Sequence, residues 1–139
     1  MSPRPARLRA LPLGFVRSER GSTSVQMVIL MPALFSVMFL GLQAALFYHA
    51  RTVAIAAAQQ GARAAGAETG SVSDGIAAAT SFIAAAGGPD VLENASVSGS
   101  RSATQAIVTV RGAALSVIPG WSPIVQQSAT MPVERITTG

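Results

Sequence analysis

The pattern of apolar and polar positions divides the chain into three stretches. Residues 22–50 contain no Lys, Arg, Asp or Glu, and residues 25–47 are almost wholly apolar. As a helix, that apolar part rises about 34 Å, enough to cross a hydrocarbon core of ~30 Å. Its twelve Val, Ile, Leu and Phe residues supply on the order of −5 kcal/mol toward membrane insertion. Gln26, Pro32, Ser36 and Gln43 reduce that figure without cancelling it. Nothing from 47 to 65 stops a helix, and the stretch is rich in Ala, the best helix former. Gly66, Gly70 and Ser71 mark the end of this helix.

The remaining stretch, 67–139, predicts a small α/β domain. Ser71-Val72-Ser73-Asp74 reads as an N-cap with an acid at the third helical position. Ile76, Ala79, Ile83 and Ala86 then recur at helical spacing with Phe82 alongside, and Gly87-Gly88-Pro89 stops the helix. Period-two alternation predicts strands near 95–98 and 103–111, the second with Ala106, Val108 and Val110 on one face. A third strand is expected near 127–136, with Ala129, Met131 and Val133 inward and Pro132 marking an edge. Residues 115–125, with Pro119-Gly120-Trp121-Ser122-Pro123, read as a turn-rich loop. The fold class is therefore α+β: a long N-terminal transmembrane helix running into an Ala-rich helix, then one helix and about three antiparallel strands. The expected division is a basic leader at 1–21, the long helix at 22–66 and the small domain at 67–139.

The core of this domain is expected to be thin. Phe82 and Trp121 are its only aromatics, Ala dominates the helices, and there is no Cys to form a disulfide. A domain so small is marginal without staples. It is expected to lean on the helix over 50–65 or on partner subunits. Trp121 reads either as the plug of its own loop or as a partner anchor.

Charge changes the picture once it is located. The net charge is +4, and residues 1–21 carry all of it, with five Arg against one Glu. Beyond Gly21, five Arg balance five acids. Basic residues beside a membrane span stay on the cytoplasmic side. The expected topology is a single pass with the N-terminus cytoplasmic and the C-terminal part exported. Arg17 and Arg20 would anchor one boundary, and Tyr48 and Arg51 the other, with His49 between them as an interfacial side chain. This placement argues for topology and against nucleic-acid binding.

Catalytic motifs are missing. There is no Lys for a phosphate loop, no HExxH, no CxxC and no GxSxG, and His49 is the only histidine. Asp90 and Glu93 read as solvated acids, and Asn94-Ala95-Ser96 is a chance-level glycosylation match. The expectation is a protein that is not an enzyme, with no cofactor and no metal.

The apolar run has three readings. A cleaved secretory signal normally has only 7–15 apolar residues, fewer than this run, although Ala44, Ala45 and Ala50 offer small residues. A permanent single-pass anchor and a pilin-like segment fit the length equally well. Local order separates the last two. Glu19-Arg20-Gly21-Ser22-Thr23-Ser24-Val25-Gln26-Met27 leads into the run, Pro32 lies inside it, and Phe47-Tyr48-His49-Ala50-Arg51 closes it. An Ala-rich helix then ends near Gln59-Gln60-Gly61-Ala62-Arg63-Ala64-Ala65. Over about 19–66 this resembles the TadE-like family, pseudopilins of the tight-adherence pilus. The resemblance implies cleavage by a prepilin peptidase after Gly21, leaving Ser22 first. The fifth residue of such mature pilins is usually Glu, and here it is Gln26. A carboxylate there could offset a neighbour's N-terminal ammonium in the membrane, where a lone charge is costly. Gln26 keeps hydrogen bonding but no charge.

Small residues at Gly41, Ala45, Ala54, Ala58, Gly61 and Ala65 fall at spacings that gather them on one helix side. They read as a packing face for neighbouring subunits, or equally as simple Ala-rich composition. The resemblance implies a minor pilin-like subunit in the cytoplasmic membrane, possible incorporation in a pilus, and other pilin-like subunits, the peptidase, an inner-membrane platform and the lipid bilayer as partners. The alternatives are an uncleaved single-pass anchor presenting an extracytoplasmic interaction domain, and a soluble protein released by cleavage near Ala44 or Ala50.

Overall fold

The computed structural model describes residues 19–136, with side chains from Thr23 onward. In chain order it contains α1 (Glu19–Gly66), α2 (Val72–Ala85), a short 3-10 turn (Gly88–Asp90), β1 (Leu92–Arg101), β2 (Gln105–Ala114) and β3 (Ile124–Pro132). The class is α+β, with a long apolar N-terminal helix and a three-stranded antiparallel sheet. The chain forms two compact units, Met1–Phe35 and Ser36–Gly139. The described part of the first unit is helix throughout, with Pro32 inside it. The second unit begins within α1, so the Ala-rich part of that helix belongs with the sheet rather than with a separate segment.

Polar signals set the bounds of α2 where the pattern placed them. The Ser71 hydroxyl accepts from the Asp74 amide (3.2 Å), and the Asp74 carboxylate accepts from the Ser71 amide (2.9 Å). This reciprocal capping box satisfies two otherwise orphaned donors. At the end of α1 the Arg101 guanidinium donates to the Ala65 carbonyl (2.7 Å) and, at 3.4 Å, to that of Glu68. A cation on the last carbonyls of a helix is favoured by hydrogen bonding and by the helix dipole.

The sheet has the order β1-β2-β3, so β2 is central and β3 is an edge, which suits Pro132. Ala106, Val108 and Val110 of β2 face inward and are buried, while Thr109 on the other face bonds Ser128 of β3 at 2.7 Å. An antiparallel sheet covered on one face and solvated on the other gives this alternation. The inner face packs on α2 and on α1. Ala50, Ala54, Ala57, Ala58, Ala62 and Ala65 of α1 join Ala79 and Ile83 of α2 and Leu92, Val108, Val110 and Val125 of the sheet in one core. The two helices approach closely where Gly61 faces Gly75. A Cβ on Gly61 would lie 2.7 Å from the Gly75 carbonyl oxygen and 2.9 Å from a Val108 methyl.

The structure corrects four details of the expected domain. Leu92 opens β1 three residues early and is among the largest fully buried side chains. A bulge between Glu93 and Ser96, with Asn94 at φ 50°, hides that start by breaking the alternation. β2 continues through Gly112 to Ala114, because Gly112 leaves the room that the Leu92 side chain fills. β3 spans Ile124–Pro132, beginning inside the stretch read as loop and ending before Val133. Phe82 and Trp121 are not core residues; they are 37% and 50% exposed.

Two glycine substitutions test the helix crossing. In isolation, Ala is about 1 kcal/mol more favourable than Gly in a helix interior. At Gly61 the added methyl meets backbone and a core valine, and overpacking of about 1–3 kcal/mol outweighs that gain. Gly61→Ala is therefore expected to lower the unfolding midpoint. Gly41→Ala, with nothing within 4 Å of the new methyl, is expected to leave it unchanged or raise it. Thermal unfolding of both variants, followed by circular dichroism in detergent micelles, checks the contrast.

Candidate functional site

The feature with functional content is the surface of α1, which changes character at one residue. Every residue from 23 to 42 is exposed, including Val28, Ile29, Leu34, Phe35, Met38 and Leu40. That stretch of helix rises about 30 Å, the thickness of a bilayer hydrocarbon core. At Gln43 the helix passes under the rest of the fold, and this side chain is only 2% exposed. Leu46 and Phe47 are half-buried, and Ala50 is the first residue of the buried alanine face. The series of large exposed apolar side chains therefore ends at Leu42, five residues before the end of the apolar run at Phe47, with only Ala44 and Ala45 exposed in between.

Gln43 is held by the chain that follows β2. Its Oε1 accepts from the Val117 amide (2.9 Å) and from the Ser116 hydroxyl (3.0 Å), and its Nε2 donates to the Leu115 carbonyl at 3.4 Å. A buried amide without partners costs roughly 2–7 kcal/mol. With three partners it fixes residues 115–117 against the helix. No buried side-chain polar atom lacks a partner among the described residues. In the sequence Gln43 was legible only as a polar interruption of an apolar run. Its partners lie more than seventy positions away, and no local pattern connects them.

The other residues singled out from the sequence fall in different places. Arg17 lies outside the described residues. Arg20, Gly21 and Ser22 are in the first turns of α1, described as backbone only. Gln26 is on the exposed part of the helix. Tyr48, His49 and Arg51 are exposed just past Gln43, and Tyr48 meets the Phe47 ring edge-on at a centroid distance of 6.0 Å. The small-residue stripe divides. Ala54, Ala58, Gly61 and Ala65 are buried within this chain's own domain, so that part of the stripe is not open to neighbouring subunits. Gly41 and Ala45 remain exposed. Arg101, which sequence reasoning passed over, caps α1 from the end of β1.

Residues 21–63 match the family model of the TadE-like protein. The chain carries a TadE-like segment. No curated protein and no solved structure matches the chain. The TadE-like segment ties the chain to the Tad pilus system. It begins at Gly21 and takes in both surfaces of α1: the exposed apolar run and most of the alanine face under the sheet. It overlaps the only helix among the described residues that is long and apolar enough to cross a membrane, Thr23–Gly66.

Removing the Gln43 amide leaves the Val117 N–H without its acceptor. Gln43→Ala is expected to cost about 1–3 kcal/mol locally and to raise hydrogen exchange at the Val117 amide, while the amides of α2 and of β2 up to Val110 keep their protection. Exchange mass spectrometry on the two proteins in micelles measures this directly.

Proposed function

We propose that this protein is a pseudopilin subunit of the tight-adherence pilus assembly system. The observation that carries the reading is that the TadE-like segment starts at Gly21 and continues at once into twenty exposed and mostly apolar helical residues, 23–42. In this reading the basic leader stays in the cytoplasm and α1 holds the subunit in the bilayer. A prepilin peptidase removes residues 1–21. The exposed face of α1, with Gly41 and Ala45 as its close-approach positions, then packs against other pilin-like helices or the inner-membrane platform. Without a lipid or protein neighbour that face would leave large apolar side chains in water, each at about 1.5–3 kcal/mol. The role is assembly rather than catalysis, with no cofactor.

A second reading is supported by Gln26. A mature pilin with Glu at this place carries a carboxylate that meets an N-terminal ammonium, and Gln26 supplies none. An uncleaved single-pass anchor with an extracytoplasmic interaction domain needs no such partner.

The mature N-terminus decides between them. Intact mass and terminal peptide mapping of the protein from native membranes are expected to give a chain beginning at Ser22, and Gly21→Val to leave the leader attached. An intact leader on the unaltered protein would favour the static anchor. A soluble exported form beginning after Ala44 would overturn both.

A further inference from the structure

We infer that the turn after β2, carrying Trp121, seats in the headgroup layer of the same membrane that α1 crosses; this rests on the membrane-spanning reading above. The argument starts from the direction of β2. At its start β2 lies against the far end of α1, with Val108 beside Gly61. At Val117 the same chain lies at Gln43. From Gly61 back to Gln43 the helix descends about 27 Å, and the chain from Val108 to Val117, a strand as far as Ala114, can span up to about 30 Å. The chain is long enough to join the two contacts, which fix the direction: β2 runs down α1 toward its exposed apolar run. The residues following Val117 emerge where that run begins.

What emerges there is a locked turn. Pro119 and Gly120 occupy its central positions, Gly120 has φ 76°, and the Trp121 amide donates to the Ile118 carbonyl at 3.3 Å. Pro followed by a positive-φ Gly is the type II pattern. The Ala114 amide closes the base on the Pro123 carbonyl (2.9 Å), and Gln43 holds the side nearest the helix. Trp121 is 50% exposed and Ile124 57% exposed. No charged residue occurs from 112 to 133. A rigid, uncharged turn presenting Trp at the end of an apolar helix matches the chemistry of the interface, where Trp sits with its ring at headgroup depth. The turn follows directly on residues 115–117, which Gln43 holds at the end of the exposed stretch of α1, and with no charge from 112 to 133 to pair with a protein surface its chemistry favours lipid as what covers it. Seating the turn there would hold the small domain against the membrane surface at two points, the helix and Trp121.

Trp121 is the only tryptophan and the chain has no Cys, so two positions can be read independently. The full chain is reconstituted in phosphatidylcholine–phosphatidylglycerol vesicles at high lipid-to-protein ratio, and a Phe35→Cys variant is labelled with a fluorophore in the span. Lipids brominated near the headgroup are expected to quench most of the Trp121 emission, with acrylamide quenching it weakly. Deeply brominated lipids are expected to quench the label at position 35. In Gln43→Ala the lipid quenching of Trp121 is expected to fall while that of the label persists. If the label is quenched by deep bromines but Trp121 is open to acrylamide and insensitive to brominated lipid, the inference fails and the span stands. Loss of lipid quenching at both positions overturns the membrane reading itself. Shielding of Trp121 that vanishes on dilution into more lipid would assign the turn to a second copy of the chain and also overturn the inference.

Discussion

The fold depends on how closely a sheet and a second helix can approach the backbone of α1. Along the buried side of that helix stand Ala50, Ala54, Ala57, Ala58, Gly61, Ala62 and Ala65, and Val53 is the one buried residue among 50–65 with a side chain larger than a methyl. Gly61 meets Gly75 with no room for a Cβ on either. The domain therefore builds its core by close contact of small residues, with Leu92, Val108 and Val110 as its bulkiest fully buried members. Each alanine contributes little on burial, at about 0.8 kcal/mol per methyl-sized group. Stability must come from the number of such contacts and from density, since dispersion falls off steeply with any gap. The same constraint ties the domain to α1: without that helix the inner face of the sheet loses its floor.

A second consequence is that one helix serves two solvents. Up to Leu42 its surface suits hydrocarbon, and from Ala50 onward its buried face suits a protein interior. Gln43 stands at the change, and its amide is satisfied by the backbone and hydroxyl of the chain that follows β2. A polar side chain at the end of a lipid-type surface is tolerable because the domain reaches down to it. The TadE-like segment spans this change rather than stopping at it.

The long helix, its apolar run and the capping box of α2 were legible in the chain, because each is a local property. Apolar periodicity, helix propensity and the Ser71–Asp74 spacing act within one or two turns. The inward set Ala106, Val108 and Val110 followed in the same way from the period of a strand. The TadE-like resemblance was likewise carried by residues in order along one segment, about 19–66, and the family match covers 21–63 of it.

Only the tertiary structure decided what the small-residue stripe packs against, where the exposed part of α1 ends, and that Trp121 and Phe82 stay out of the core. Those outcomes depend on contacts between residues far apart in the chain. Leu92 is buried because Gly112 on the neighbouring strand leaves space, and Gln43 is buried because β2 happens to deliver Leu115, Ser116 and Val117 to it. A sequence states how many apolar groups there are and at what period. It does not state which faces meet, since that is set by the register and direction of strands laid along the helix.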